Sequence, residues 1–491
     1  MPNTLEQLQP QLVWKYFSEI ANVPRPSKHE ERISQYILDT AKKLGLKAKQ
    51  DKFMNVVVYK PASKGKENAK MVCLQGHLDM VCEKNADKVH DFMKDPIELV
   101  VKGNVLMANG TTLGADNGIA VATMLAIAED KSLEHPALEL LFTIDEETGL
   151  TGAANLQKGF VQSKTMLNLD SEEEGALYVG CSGGKDTTGT WKIVWEKVPN
   201  TFSSFSLEVK GLKGGHSGLE IDKGRGNAVK IMNRVLLKLS DVGTRLSSIK
   251  GGDKRNAIPR ECSATILVPK KSMSDVPKIA KEMNATIKAE LSSVEPDLQI
   301  SVSEIQQQMK GKKKVQLKAL KKVAQRKLMQ TISSLPHGVT KMSADIPGLV
   351  ETSTNVASII TLEKEILIAT SQRSSVASEI LEICESVANI FELGSATVKQ
   401  SDGYPGWKPD MSSAILKTAK ETYKQLYGKE PAVKAIHAGL ECGIIGERFP
   451  GMDMVSFGPT LEGVHSPDEK IYIDTVEKFW KFLLAILKNV N

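Results

Sequence analysis

The 491-residue chain lacks several patterns that would assign it to other classes of protein. Its six cysteines are scattered without a CxxC pair, which is typical of reduced thiols and argues against a disulfide framework. No stretch reaches the roughly 18 apolar residues of a membrane span, and the N-terminus has no secretory pattern, so we expect a cytoplasmic protein without membrane association. The net charge of +5 is too small for this length to indicate a nucleic-acid partner.

One segment is strongly basic, and it has two interpretations. Residues 311–327, GKKKVQLKALKKVAQRK, have the composition of a helix rich in lysine and arginine. Such a helix could bind an anionic partner, but a solvated face on a charged lid is the favoured interpretation. The helical pattern continues over 318–332.

The pattern of apolar residues predicts two kinds of domain. The length exceeds what one core usually organises, and apolar and charged contents of 41% and 25% are ordinary for a globular protein. Alternating strands and helices predict a mostly parallel central sheet flanked by helices. The elements predicted in this α/β part are strands at 71–76, 138–144, 165–169 and 455–458 and helices at 118–130 and 476–487.

The middle of the chain has a different pattern, typical of an α+β domain. Its predicted elements are strands at 205–211, 264–269, 359–362 and 365–371 and helices at 226–239, 276–291 and 376–391. We therefore predict an α/β catalytic domain formed by residues 1–185 and 401–491, with an α+β lid domain, residues 186–400, inserted into it.

Five short motifs contain side chains that can bind metal ions, and each also has an ordinary explanation. His77 and Asp79 of GHLDM follow a strand, and on an extended segment they point to the same side, so Asp79 could orient a metal-bound His77. A surface histidine beside an acid is the alternative. Asp116 of LGADNGIA opens a helix, where an aspartate usually serves as a cap.

The remaining three motifs are FTIDEETG, LNLDSEEEG and EGVHSPDE. Glu146 and Glu147 follow a buried strand, and they are either two solvated acids at a helix start or a metal ligand beside a free base. Asp170 could be an ordinary polar end of a strand. His465, in a loop, could be a turn histidine.

Considered together, the motifs favour a metal site over the separate explanations. Predicted strands deliver these side chains at their carboxyl ends, where open α/β sheets bind ligands. Two imidazoles and several carboxylates, with no thiol nearby, suit zinc, manganese or cobalt.

These residues resemble the family of metallopeptidases that includes glutamate carboxypeptidase, aminoacylase and carnosinase. The resemblance extends over essentially the whole chain and is carried by ten ordered motifs: PRPSKHEERI (24–33), QGHLDMVCEKN (75–85), TTLGADNGIA (111–120), FTIDEETGLTGA (142–153), LNLDSEEEG (167–175), GCSGG (180–184), GGHSG (214–218), NAIPR (256–260), HAGLECG (437–443) and GVHSPDE (463–469).

The resemblance implies two divalent metal ions per chain, zinc first, with manganese or cobalt as alternatives. It implies that five residues are the metal ligands, with Asp116 bridging the two ions: His77, Asp116, Glu147, Asp170 and His465. It assigns Glu146 as the general base, Asp79 as the residue that orients His77, and His216 of GGHSG as the lid histidine that stabilises the oxyanion.

The activity that the resemblance implies is hydrolysis of unblocked dipeptides, including those with a C-terminal histidine. Candidates for binding the substrate are Asn256, Arg373 and the backbone at Gly439, although Arg373 could equally be a surface arginine. Three alternatives remain: a tripeptide aminopeptidase, a deacylase of N-acyl amino acids, and a non-catalytic scaffold protein. The resemblance leaves open whether the chain forms a homodimer.

Overall fold

The computed structural model describes residues 5–306, 309–310, 313–314 and 316–490. The chain forms two compact units. The first contains residues 1–181, 407–435 and 440–491, and the second contains residues 182–406 and 436–439. In the described part of the chain, no helix combines the length and the apolar character that crossing a membrane requires.

Helices and strands alternate along the first part of the chain. Up to residue 181 they are α1 Gln11–Ala21, α2 Glu31–Lys43, β1 Lys47–Gln50, β2 Val56–Lys60, β3 Val72–His77, β4 Leu99–Lys102, β5 Val105–Ala108, α3 Ala115–Glu129, β6 Leu138–Thr143, α4 Glu146–Gly149, α5 Thr151–Ala154, β7 Thr165–Asn168 and β8 Ala176–Cys181. A short 3-10 helix, Leu5–Gln7, precedes α1.

The middle of the chain is richer in strands. Its elements are β9 Gly183–Lys192, β10 Trp195–Lys197, β11 Phe202–Lys210, β12 Gly215–His216, α6 Ala228–Ser240, β13 Arg245–Gly251, β14 Ala257–Ile258, β15 Cys262–Pro269, α7 Asp275–Glu290, β16 Gln299–Ile305, β17 Met309–Lys310, β18 Lys313–Lys314, β19 Lys318–Leu320, α8 Lys322–Ser334, β20 Gly338–Met342, β21 Val350–Thr361, β22 Glu365–Ser374, α9 Ala377–Leu393 and β23 Thr397–Gln400. The last elements are α10 Ala414–Tyr427, β24 Ala432–Ile436, α11 Glu441–Arg448, β25 Asp453–Ser456, β26 Leu461–Glu462, β27 Lys470–Tyr472 and α12 Ile473–Asn489.

The first unit is built on an eight-stranded sheet in the order β1-β2-β6-β3-β7-β25-β8-β24. Its four central strands, β6, β3, β7 and β25, run parallel. Strands β1 and β2 on one side and β8 on the other are antiparallel to their neighbours. The predicted α/β class and parallel core are confirmed, and the antiparallel flanks were not foreseen.

Helix α3 is the most deeply buried helix of the first unit. It is apolar on all sides, and it packs against both α1 and β3. A helix without a polar face has to be enclosed, so this sequence places α3 in the core, directly behind the strand that ends at His77. A smaller sheet in the order β26-β27-β5-β4 completes the unit.

The second unit contains an antiparallel sheet in the order β16-β11-β15-β13-β21-β22-β9-β23, with β20 paired to β21. Helices α6 to α9 share one hydrophobic core with this sheet, in which Trp191 meets Phe391 edge to face. This is the predicted α+β arrangement.

The predicted helix over 318–332 is partly wrong, because residues 318–320 form strand β19, paired with β10, and α8 begins only at Lys322. Residues 311, 312 and 315 of the basic segment lie outside the described residues.

Candidate metal centre

Three parallel strands of the eight-stranded sheet end side by side, and each has a side chain able to bind a metal ion at its carboxyl end or just after it. His77 is the last residue of β3, and Glu146 and Glu147 open α4 just after β6. Asp170 follows shortly after β7. Because β3 lies between β6 and β7 and runs parallel to both, these side chains meet at one edge of the sheet.

The other two predicted ligands are brought in by the four-stranded sheet. Strand β27 pairs with β5, with Lys470 opposite Met107. The loop after β5 leads to Asp116, and the loop between β26 and β27 carries His465. This pairing joins a loop near the N-terminus to one near the C-terminus, and Asp116 Oδ2 lies 3.2 Å from His465 Nε2.

Asp116 does not act as a helix cap, although its place at the start of α3 suggested one. Its backbone is not helical, at φ −82° and ψ 109°, and neither is that of Asn117, so the regular helix begins at Gly118. The side chain contacts two histidines instead. Asn117 supports the same region, because its side-chain oxygen accepts a hydrogen bond from the backbone N–H of His77 at 3.3 Å.

Asp116 stands between two groups of potential ligands. The first half-site is His77, Asp116 and Asp170, in which His77 Nε2 lies 3.1 Å from Asp116 Oδ1 and 3.4 Å from Asp170 Oδ1. The second half-site is Asp116, Glu147 and His465, in which His465 Nε2 lies 2.9 Å from Glu147 Oε2. Within each half-site the ligand atoms lie within 4.8 Å of one another. Since Asp116 offers a different oxygen to each, it can bridge two ions.

The donor atoms fit divalent metal ions in three respects. All of them are imidazole nitrogens and carboxylate oxygens, the set that zinc, manganese and cobalt accept. Glu147 Oε1 is buried and has no hydrogen-bond partner among the described residues, as expected of an oxygen reserved for a cation. Hydrogen bonds to Asp116 and Glu147 raise the pKa of His465 to about 11, so these carboxylates strongly favour positive charge in the second half-site.

Glu146 lies beside the half-sites without belonging to either. One of its carboxylate oxygens is within 4.8 Å of ligand atoms of His77 and Glu147. Burial raises the pKa of Glu146 well above its usual range, and the neighbouring carboxylates of Asp170 and Glu441 add to the effect. Burial likewise raises the pKa of Asp170 to about 6. A carboxylate with a raised proton affinity next to a metal site has the character of a general base.

Asp79 holds His77 and the start of α4 together. His77 Nδ1 lies 3.1 Å from the backbone oxygen of Asp79 and 3.4 Å from its Oδ1, and these contacts leave His77 Nε2 directed at the first half-site. The same carboxylate accepts hydrogen bonds from the backbone N–H groups of Glu146 at 3.0 Å and Glu147 at 3.2 Å. Burial alone would raise the pKa of Asp79, but the hydrogen bond with His77 lowers it to about 2.

Sequence reasoning missed Glu441, which lies fully buried behind the centre. Its Oε2 accepts hydrogen bonds at 2.6 Å from Gln75 Nε2 and from Thr143 Oγ1, both near the ends of strands that carry ligands. Burial raises the pKa of Glu441 to about 7. It lies in HAGLECG, a motif in which the sequence predicted a role only for the backbone at Gly439, as a candidate for binding the substrate. Sequence reasoning also missed Arg25, which lies in PRPSKHEERI, and Glu469, which lies in GVHSPDE.

The four remaining predicted residues belong to the second unit. His216 ends β12, which pairs with β14, and it lines a groove of about 860 Å³ together with Asn256. The backbone N–H groups of Gly218 and Leu219 donate to His216 Nδ1 at 3.2 and 3.1 Å, so the hydrogen of the neutral ring is on Nε2. Burial and the charge of Arg373 lower the pKa of His216 to about 4.

Arg373 lies on β22 and is almost completely buried, which excludes the interpretation as a surface arginine. It donates to Tyr404 Oη at 3.0 Å, while its Nε has no hydrogen-bond partner among the described residues. Gly439 packs so closely on the Tyr404 ring that a Cβ there would lie 3.0 Å from it. His437, which sequence reasoning did not single out, is buried in the same unit, with Nε2 2.7 Å from Ser353 Oγ.

The parallel sheet and its paired half-sites have the form of a candidate centre for two metal ions, and comparison with known proteins identifies the family. Residues 73–489 match Peptidase family M20/M25/M40, and the chain belongs to this family of hydrolases that act on peptide bonds.

Its relatives include the cytosol non-specific dipeptidase of Escherichia coli (strain K12), with 40% identity over 99% of both chains. The crystal structure of the aminoacylhistidine dipeptidase of Vibrio alginolyticus matches with a TM-score of 0.90 at 40% identity, covering 99% of this chain and 98% of that one. Aminopeptidase PepT of Bacillus cereus shares the fold alone, with a TM-score of 0.56 at 16% identity over 98% of this chain and 99% of that one. The resemblance that the motifs carried is thus confirmed.

Proposed function

We propose that the chain is a dipeptidase that hydrolyses unblocked dipeptides, including those with a C-terminal histidine, with two divalent metal ions. The observation that carries the proposal is the position of Asp116 between the two half-sites, with Glu146 beside them. The relatives at 40% identity are named as a non-specific dipeptidase and an aminoacylhistidine dipeptidase. Both names support dipeptides as the substrate class.

The metal ligands we propose are His77, Asp116 and Asp170 for one ion and Asp116, Glu147 and His465 for the other. When bound, such a pair of ions activates water and polarises the scissile carbonyl. We propose zinc, because two imidazoles combined with carboxylates form a common zinc ligand set, with manganese and cobalt as the ions to compare.

Glu146 is the proposed general base. It accepts a proton from the water whose oxygen attacks the carbonyl carbon of the peptide bond. It then delivers this proton to the amine nitrogen as the carbon–nitrogen bond breaks, so that two free amino acids are released. Proton transfer of this kind typically contributes about 10²–10⁴-fold to the rate. Asp79 keeps His77 in the orientation in which Nε2 faces the first half-site.

The second unit is proposed to serve as the lid that captures the substrate. His216, whose Nε2 carries the hydrogen, would donate to the oxyanion of the tetrahedral intermediate. Arg373, with a buried Nε that has no partner among the described residues, would bind the C-terminal carboxylate, together with Asn256 and the backbone at Gly439. These contacts would select substrates of dipeptide length.

The decisive experiment measures hydrolysis of a panel of dipeptides, tripeptides and N-acetyl amino acids after chelation and after re-addition of zinc, manganese or cobalt. We expect dipeptides to be cleaved fastest and activity to return with metal. In parallel, Glu146→Gln should lose activity by at least about 100-fold. Preferred cleavage of tripeptides would indicate an aminopeptidase, and preferred cleavage of N-acetyl substrates a deacylase. Either result would overturn the proposal.

We also propose a cytoplasmic location. All six cysteines are free thiols, which suits a reducing compartment, and the Escherichia coli relative is named as a cytosolic enzyme. Fractionation of cells tests the location. Light scattering of the purified chain determines its oligomeric state, which the resemblance leaves open.

A further inference from the structure

A buried carboxylate outside the proposed ligand set binds the loop that presents Asp116. Glu469 is only 2% exposed, and its two oxygens accept hydrogen bonds from four consecutive backbone N–H groups, those of residues 113–116. Oε2 accepts from Leu113 at 2.7 Å and from Gly114 at 2.9 Å, and Oε1 accepts from Ala115 at 2.8 Å and from Asp116 at 3.2 Å. One side chain therefore satisfies every backbone donor of this turn.

The turn depends on such an acceptor. Its N–H groups precede the regular part of α3, so they have no partner within the helix, and no side chain of the turn itself caps them. Gly114 has a left-handed backbone, at φ +69°, which directs the successive N–H groups toward one point. Buried donors left without an acceptor are costly, so the conformation that directs the Asp116 carboxylate requires Glu469.

Arg25 fixes the same turn from another direction. It is buried, and its Nη1 donates to the backbone carbonyls of Leu78 at 3.0 Å and Asp79 at 2.9 Å. Its Nη2 donates to the carbonyl of Gly114. A Cβ on Gly114 would lie 2.6 Å from this guanidinium, which shows how closely the two pack. Arg25 thus ties the loop that follows His77 to the turn that carries Asp116.

We propose that Glu469 is a positioning residue of the metal centre. It fixes the position of the bridging Asp116 relative to His465, while Arg25 fixes the position of Asp116 relative to His77. Glu469 lies four residues after His465 in the loop between β26 and β27, so one short loop supplies a ligand to the second half-site and fixes the shared ligand of both. This inference rests on the proposed two-metal function, and it predicts that Glu469 controls metal affinity and not only the stability of the fold.

The test compares metal binding by the full-length chain and by Glu469→Gln. An amide keeps one acceptor oxygen and turns an NH₂ group toward N–H groups that need an acceptor, while the size of the side chain is retained. Metal-free protein competes with a chromophoric chelator, with Zn²⁺ as the only ligand added. The titration gives the zinc affinity and the number of ions bound. We expect the zinc affinity of the variant to fall about 10–100-fold. The loss of kcat should be recovered with excess zinc, and KM for a dipeptide should stay unchanged.

Glu139→Gln is the matched control. Glu139 is also fully buried in the first unit, and it likewise accepts from backbone N–H groups, those of Gln162 at 3.0 Å and Ser163 at 2.8 Å. It lies near the opposite end of β6 from the residues that bind metal in our proposal. We expect this variant to lose thermal stability but to keep the zinc affinity of the wild type within about twofold, since only its local hydrogen bonds change.

Two further variants keep the test decisive if Glu469→Gln does not fold. Glu469→Asp keeps the charge but shortens the reach, and Arg25→Lys keeps the charge but loses the forked geometry. The affinity is read from every variant that retains the circular dichroism spectrum of the metal-free wild type, and at least a threefold loss supports the inference. Wild-type affinity in the folded Glu469 variants, or failure of both to fold, would assign Glu469 a structural role only, and wild-type affinity in Arg25→Lys would remove Arg25 from the proposal. If the wild type itself binds no zinc, the proposed function fails instead.

Discussion

Replacement of Asp79 by asparagine tests how much the orientation of His77 contributes. The Asp79 carboxylate is fully buried and has four polar neighbours. Oδ1 contacts His77 Nδ1 and the N–H of Glu146, and Oδ2 accepts from Ser27 Oγ at 2.8 Å and the N–H of Glu147. Asparagine has a single acceptor oxygen and an NH₂ group. In either orientation of the amide, the NH₂ group therefore faces donors that need an acceptor.

The size of the effect follows from these contacts. A buried donor left without its acceptor costs about 1–3 kcal/mol, so Asp79→Asn should lower the free energy of unfolding by about that amount. His77 also loses the negative partner that increases its basicity as a ligand, and changes of this kind typically weaken metal binding or activity about 10–100-fold. We expect both losses together.

Two measurements separate these losses. Thermal unfolding in the presence of a chelator reports the stability of the metal-free variant, and competition with a chromophoric chelator reports its zinc affinity. Ser27→Ala is the control, because it removes only one donor to Asp79 and should change zinc affinity by less than about threefold. If Asp79→Asn bound zinc and turned over dipeptides like the wild type, the role assigned to Asp79 would be refuted.

Three further predictions concern other parts of the chain. Arg373→Lys should raise KM for dipeptides about tenfold or more and leave KM for dipeptide amides nearly unchanged in steady-state kinetics, because the amides lack the carboxylate. Burial lowers the pKa of His337 from about 6.5 to about 4, so its neutral ring, which can accept from Asn227, contributes stability above pH 6.5 that is lost as the pH falls toward 4. In thermal unfolding, His337→Gln should reduce the loss of stability between pH 6.5 and pH 4 by about 2 kcal/mol. This value is below the full linkage effect because the ring keeps some exposure. Gly76→Ala should lower both stability and zinc affinity, because a Cβ there would lie 2.3 Å from Asn117 Oδ1.

Each of these predictions has a result that contradicts it. Equal increases in KM for dipeptides and their amides would show that Arg373 does not bind the carboxylate. An unchanged pH dependence in His337→Gln would assign the acid sensitivity to other groups. Wild-type zinc affinity in Gly76→Ala would mean that Asn117 is able to move without disturbing His77.

The sequence predicted the parallel core because its strands are short apolar runs followed by polar motifs. It could not predict the small sheet, since β26 and β27 have only two and three residues and β27 pairs with a strand more than 350 positions earlier. Arg25 and Glu469 escaped for a related reason. Both act through backbone carbonyls and N–H groups, which are common to nearly all residues. The identity of the residues that they contact therefore gives no sign of the interaction. Arg373 could be classified only once the structure gave its burial.

The strand pairing of β5 with β27 also has a consequence for how the centre matures. During synthesis, residues 77, 116 and 170 are all added about 300 residues or more before His465, so the ligands of the first half-site are made early. The second half-site needs His465, which is translated about 300 residues after Asp170. A nascent chain that has not reached residues 465 and 469 therefore lacks both a ligand of the second half-site and the carboxylate that holds the Asp116 turn, so the two-metal centre we propose can assemble only after both residues have been made.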